Sequence, residues 1–141
     1  HDHSLEVIDF GVLRTKPELP TAERLQSLYE QLNELLVLHK PESGAVENLF
    51  FQRNVTTAIT VGQARGVLLL ALSQAGIPVA EYNPMEIKQA VAGYGKADKP
   101  RMQQMVKMLL GLKSTPRPDD AAGALAVAIC HIHSRKLNQL K

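Results

Sequence analysis

At 141 residues, with 45% hydrophobic and 21% charged positions, the chain has the length and apolar content of one globular domain, residues 1–141, with its own core. Aromatic residues make up 4% with no Trp, which argues against a stacking platform for single strands, and the lone Cys130 excludes an internal disulfide framework or a cysteine-rich zinc site. The net charge of +2 hides a division: residues 1–82 hold six Lys/Arg against ten Asp/Glu, whereas residues 83–141 hold ten against four. A basic C-terminal half is the footprint of a polyanion partner, with solvated helix lysines as the plainer explanation for any one of them.

The chain opens on His1 rather than Met, so a natural start upstream is expected. No apolar run of membrane length and no signal segment is read, which makes a cytoplasmic protein without membrane contact the default. Leu5 to Arg14 reads as a strand, with Leu5, Val7, Ile8, Phe10, Val12 and Leu13 crowding both faces. Pro17 and Pro20 break it, Thr21 is the expected N-cap, and Leu25, Leu28, Tyr29, Leu32, Leu35 and Leu36 recur at helical spacing up to His39. Lys40-Pro41 ends that helix. A short buried strand follows after a turn, and Asn54 is placed to cap a helix running to about Ala75.

That second helix carries Ala58, Gly62 and Gly66 at i, i+4 and i+8, a stripe that permits close backbone approach, either within the chain or to another subunit. Gly76 closes it, Ile77 to Tyr82 is a further strand, and Asn83-Pro84 starts a helix with Pro in its first turn, ending near Ala92. A glycine-bearing loop, Gly93 to Asp98, leads to a helix whose core stripe is Met102, Met105, Val106, Leu109 and Leu110. Pro116-Arg117-Pro118 then introduces Asp119 and a long last helix, from Ala121 to about Leu140, apolar around Leu125, Val127, Ile129 and Ile132. Strands followed by helices in this order imply an α/β sheet layered with helices.

The most informative stretch is Glu42 to Asn54. Ala45, Val46, Leu49 and Phe50 form an apolar run of strand character, and Glu47 sits within it. A carboxylate so placed is costly unless paired or bound to a cation, so Glu47 reads as a metal ligand or as half of a buried ion pair. Ligands of open sheets bind at the carboxyl ends of strands, and a late helix crossing that edge would bring its N-terminal acids there. Asp119 and Asp120 stand at such a helix start. They are either ordinary acids favoured by the macrodipole or, for Asp120, a partner of Glu47 around a hard divalent cation. Two such ions about 4 Å apart can clamp the attacking and leaving oxygens in phosphodiester hydrolysis. His131 and His133 are two apart, face different sides of a helix and read as packing or surface residues.

Taken together, Val46-Glu-Asn-Leu-Phe-Phe51, Val61-Gly-Gln-Ala-Arg-Gly-Val67, Ile87-Lys-Gln89, Gly93-Tyr-Gly-Lys-Ala-Asp-Lys99 and the run from Asp120 to His131 resemble, in order and spacing, the successive motifs of the RuvC family of Holliday junction resolvases. The resemblance implies a ribonuclease-H-like mixed sheet flanked by helices and a homodimer. It also implies a Mg²⁺-dependent endonuclease, with Mn²⁺ as a substitute, that makes paired symmetric nicks in four-way DNA junctions and works with a branch-migration helicase complex.

Position by position, the resemblance makes Glu47 and Asp120 metal-binding catalytic acids and Phe50 the aromatic beside the junction centre. Lys88 and Lys99 become basic residues near the scissile phosphate, Lys99 with a catalytic role in stabilising its charge. Lys96 beside Lys99 in the glycine loop is a natural phosphate contact, and Arg65 is open to two readings, DNA contact or an acid across a subunit interface. Two departures stand out. The family's opening strand, with its Asp-Pro-Gly motif and metal-binding Asp, has no counterpart in Leu5 to Arg14, so an incomplete copy is expected; and the family's last metal-binding Asp falls at Gly123. The alternative function is therefore a junction-binding protein deficient in cutting.

Overall fold

The computed structural model describes residues 5–48 and 54–139. The elements in chain order are α1 (Thr21–His39), β1 (Gly44–Glu47), α2 (Val55–Gln74), β2 (Val79–Tyr82), α3 (Pro84–Ala92), α4 (Lys99–Leu109) and α5 (Asp119–Gln139). β1 and β2 pair into a two-stranded sheet. The Gly44 N–H bonds to the Pro78 carbonyl at 2.8 Å and the Asn48 N–H to the Tyr82 carbonyl at 2.7 Å, a constant offset that marks a parallel pair with α2 as its crossover.

The expected strand from Leu5 to Arg14 does not form among the described residues. Alternating apolar residues supply strand propensity, but a strand exists only where a neighbouring ladder takes up its backbone groups. Leu5 and Val7 pack on the core instead, while Ile8 is 83% exposed.

The chain divides into two compact units. One comprises Leu13–Gly44 and Phe50–Ala80 and is built on α1 against α2. α1 begins one residue earlier than its sequence implies: Pro20 occupies the N-cap and its carbonyl accepts from the N–H groups of Glu23 and Arg24 at 3.0 Å each. Thr21 is thus inside the helix and caps nothing. Lys40 ends it in the left-handed region (φ 46°), donating its N–H to the Leu36 carbonyl, and Pro41 prevents continuation. Arg24 Nε donates to Thr15 Oγ1 at 3.0 Å and Gln31 Nε2 to the Arg14 carbonyl at 2.8 Å, which ties the preceding segment to α1. Ala71 and Leu72 of α2 are buried, Leu72 closing over Gly44.

Asn54 caps α2 as expected, its side chain accepting from the Thr57 N–H at 3.2 Å. Two other readings of this helix are corrected. Ala58, Gly62 and Gly66 are exposed, and a Cβ built at either glycine meets nothing within 4 Å, so among the described residues nothing packs on the small-residue stripe. α2 is also, by length and composition alone, long and apolar enough to cross a membrane, with a mean hydropathy of 1.5 and 11% of its most apolar window buried. Threonines, glycines, Gln63 and Arg65 break up its first half, so its longest unbroken apolar run is Val67–Leu72, well short of a membrane span.

The other unit comprises His1–Val12, Ala45–Leu49 and Glu81–Lys141. Its core is Ile87 and Val91 of α3, Val106 of α4 and Leu125, Ala126, Val127, Ile129 and Cys130 of α5, with Met102, Met105 and Leu109 packed around it. Ile132 lies at the margin of that face, 36% exposed. α3 starts on a capping box: the Asn83 side chain accepts from the Glu86 N–H at 2.8 Å while Glu86 Oε1 accepts from the Asn83 N–H at 2.9 Å, with Pro84 at the first helical position. It stops at Gly93 (φ 89°), a conformation that favours glycine. Gly95 is needed for room, since a Cβ there would meet Met85 Cγ at 2.9 Å. Asp98 then caps α4, accepting from the Arg101 N–H at 2.9 Å.

Candidate functional site

The three helices of this second unit and the end of β1 enclose a cavity of about 350 Å³. β1 delivers Glu47, α3 delivers Lys88, α4 delivers Lys99 and Gln103, and α5 delivers Asp119 and Gly123. Ile87, Ala97, Val106, Ala122 and Ala126, all buried, form its apolar floor. The caps set these placements: Asn83 fixes where α3 begins and so the turn on which Lys88 lies, and Asp98 makes Lys99 the first residue of α4.

Glu47 is half-buried rather than buried. Burial pushes its carboxyl above the usual carboxylate range, and the Lys88 ammonium partly offsets this by favouring the ionised form. On the opposite wall, Lys99 Nζ lies 3.2 Å from Asp119 Oδ2, and Gln103 Nε2 donates to Asp119 Oδ1 at 2.9 Å.

Asp120 does not share this cavity. It lines a neighbouring one of about 800 Å³ with Gln103, Arg117 and Asp119. Asp119 lines both cavities, whereas of the two Gly123 lines the first and Asp120 the second, although Asp120 and Gly123, at i and i+3, are neighbours on the helix. Sequence reasoning placed both acids at the helix start but favoured Asp120, and it missed Gln103 altogether. The signal available was spacing, since Asp119 stands one turn before Gly123 and Gln103 one turn after Lys99.

The other sequence-predicted residues lie elsewhere. Lys96 is exposed on the loop between α3 and α4, and Arg65 is half-buried on α2, in the first unit. Phe50 lies outside the described residues. His131 packs as expected, its Nδ1 2.8 Å from the Tyr82 hydroxyl, with burial and then Arg135 lowering its pKa. Cys130 is buried, its thiol pKa raised by that burial, as for an inert core cysteine.

The arrangement offers two ammonium groups beside a partly desolvated carboxylate, which suits a phosphate better than a neutral ligand. A metal is less well provided for. Among the described residues no group of three or more His, Cys, Asp or Glu side chains gathers that could hold one. In the Glu47 cavity the other two acids are engaged, Asp98 by the Arg101 N–H that it caps and Asp119 by Lys99 and Gln103, and position 123 contributes no side chain, although a Cβ there meets nothing within 4 Å. The donors present therefore do not amount to the metal-binding set implied by the resemblance.

Comparison with known proteins gives the family. The sequence model described as crossover junction endodeoxyribonuclease RuvC matches residues 1–131. A crossover junction endodeoxyribonuclease RuvC of Roseiflexus sp. (strain RS-1) is 58% identical over 133 residues, covering 94% of this chain and 79% of the relative. One from Chloroflexus aurantiacus (strain ATCC 29366 / DSM 635 / J-10-fl) is 59% identical over 130 residues, covering 92% and 79%. Among solved structures, T. thermophilus RuvC in complex with Holliday junction substrate superposes with a TM-score of 0.92 at 39% identity, over 96% of this chain and 82% of that one. A second Thermus thermophilus RuvC structure gives 0.89, also at 39% identity, over 96% and 81%. The fold is accordingly the ribonuclease-H-like fold of those structures. The chain belongs to the RuvC family of crossover junction endodeoxyribonucleases, metal-dependent nucleases of DNA recombination and repair.

Proposed function

We propose that the protein is a Holliday junction resolvase that engages four-way DNA junctions through the Glu47 cavity. The observation that carries this reading is the convergence of Lys88 and Lys99 on one cavity with the half-buried Glu47, in a fold whose solved relative is described with junction substrate. Lys88 and Lys99 bind and orient a backbone phosphate at the cavity mouth, and Lys99 stabilises charge building on its oxygens. Lys96 on the neighbouring loop extends the DNA contact, and Arg65 and Phe50 are proposed as further DNA-binding residues on the resemblance. The ion proposed from the resemblance is Mg²⁺, with Mn²⁺ as substitute; the acids that the resemblance nominates for it, Glu47 and Asp120, line different cavities in this chain.

Paired nicks need two sites related by a twofold axis, for which a homodimer is the simplest source. The exposed face of α2 is the proposed interface. That both units form one nuclease domain, that the protein is cytoplasmic and that it works with a branch-migration helicase complex are proposals resting on the resemblance.

A second reading, a protein that holds junctions but cuts them poorly, is favoured by Gly123, whose position faces the cavity without a side chain. One assay separates the two. Junction nicking with Mg²⁺ or Mn²⁺ is measured for this chain, for a version extended by the family's Asp-Pro-Gly strand, and for the extended version carrying Gly123→Asp. Full activity is expected only in the third, because Gly123→Asp enters open space and restores a carboxylate to the cavity. Robust cutting by this chain alone would establish the resolvase reading and show that the acids present suffice.

A further inference from the structure

Lys99 and Gln103 stand one turn apart on α4 and divide one carboxylate between them, the ammonium taking Oδ2 of Asp119 and the side-chain amide taking Oδ1. The helix dipole explains an acid at the start of α5, and it would serve Asp119 and Asp120 alike. It does not explain why both oxygens of one acid are held by a cation and an amide from a different helix. Two donors aimed at two oxygens of a single anion also match two non-bridging oxygens of a phosphodiester, and this pair sits on the wall of the cavity that Lys88 enters from α3.

We infer that Lys99 and Gln103 form a two-point cradle for a DNA backbone phosphate, and that Asp119 is its internal occupant, which the phosphate must displace. The inference deepens the junction-binding reading and rests on it. Asp119 acts as a threshold on binding. Because the ion pair is largely exposed, at 70% for Lys99 and 63% for Asp119, the carboxylate is held weakly and gives way to a phosphate presented along with other contacts. An isolated phosphate gains less from the exchange, so the device favours DNA that also engages the rest of the surface. Gln103, which has no charge, becomes a phosphate contact.

The test measures junction affinity at low salt for the parent chain, Asp119→Asn, Asp120→Asn, Lys99→Ala and the double variant Lys99→Ala/Asp119→Asn. Asp119→Asn keeps the shape and removes the competing charge, and it should tighten binding by up to about fivefold, the scale of an exposed ion pair. Asp120→Asn removes the same charge one residue away and should give a smaller gain. The Asp119→Asn gain should disappear in the Lys99→Ala background, whereas a general charge effect persists there. Equal gains from both acids, a gain that survives without Lys99, or weaker binding on Asp119→Asn would each overturn the cradle. Inorganic phosphate titrated against the ¹⁵N-labelled Gln103 side-chain amide gives an independent readout, with the signal shifting at lower phosphate in Asp119→Asn than in the parent. A silent Gln103 amide overturns the cradle; a responsive amide in a chain that binds no junction sustains the cradle and removes the junction reading instead.

Discussion

Glu47 illustrates how one residue joins stability to function. Burial raises its pKa above that of an ordinary glutamate despite Lys88, so ionising it costs the folded state more than the unfolded one. The sign follows. The contribution of this group to stability is intact below pH 4.5 and is lost as pH rises through the higher folded value. Glu47→Gln, which cannot ionise, should therefore melt higher than the parent at pH 7, on the order of 2 °C given the residue's partial exposure, and the two proteins should converge near pH 4. Thermal unfolding at both pH values checks this. A lower melting point for Glu47→Gln at pH 7 would mean that the carboxylate is held by favourable contacts that outweigh its desolvation. A residue kept at some cost to the fold is what a binding or catalytic carboxylate looks like.

At the scale of elements, caps decide where functional side chains fall. The Asn83–Glu86 box starts α3 and thereby sets the turn that carries Lys88. Asn83→Ala removes the side-chain acceptor of the Glu86 N–H and should cost about 1 kcal/mol in urea unfolding, with Glu86→Ala, which removes the acceptor of the residue 83 backbone N–H, costing a similar or smaller amount. No loss for either would show that Pro84 and tertiary packing suffice to start the helix. α2 poses the opposite case, a helix with large apolar residues exposed along its length: Val55 is 72% exposed, Ile59 56% and Leu70 52%. Gly62→Leu meets open space within the chain, so the folded protomer should be preserved while close approach of a second copy is blocked. Sedimentation at micromolar concentration should then show a dimer for the parent and monomer for the variant. A dimer indifferent to Gly62→Leu moves the interface to another face.

For the whole molecule, the charge division runs along the chain and not between the two units, since the unit that holds the basic C-terminal stretch also takes in Glu6, Asp9, Glu47 and Glu81. Residues 83–141, with ten Lys/Arg against four Asp/Glu, all belong to the unit that contains the Glu47 cavity. Nanomolar-range binding to four-way junctions in preference to linear duplex is expected, with log K falling against log salt by roughly 0.9 for each phosphate contact. Equal affinity for junction and duplex at moderate salt would count against the junction reading. Much of this is legible in the sequence, because caps, helical periodicity and glycine stops act over a few residues: α3 forms end to end where Asn83-Pro84 starts it, the Asn54 cap holds, and the ordered motifs identify the family and its resolvase function. What local pattern could not settle depends on neighbours distant in the chain. Apolar alternation in Leu5 to Arg14 does not reveal whether a ladder partner is present, and small residues spaced along α2 do not reveal whether anything covers them. Likewise, two adjacent acids at a helix start look alike in sequence. Only the packing of α5 against α4 decides that Asp119 meets Lys99 and Gln103 on the wall of the Glu47 cavity while Asp120 lines the neighbouring one, because helix rotation about its own axis is fixed by tertiary contacts.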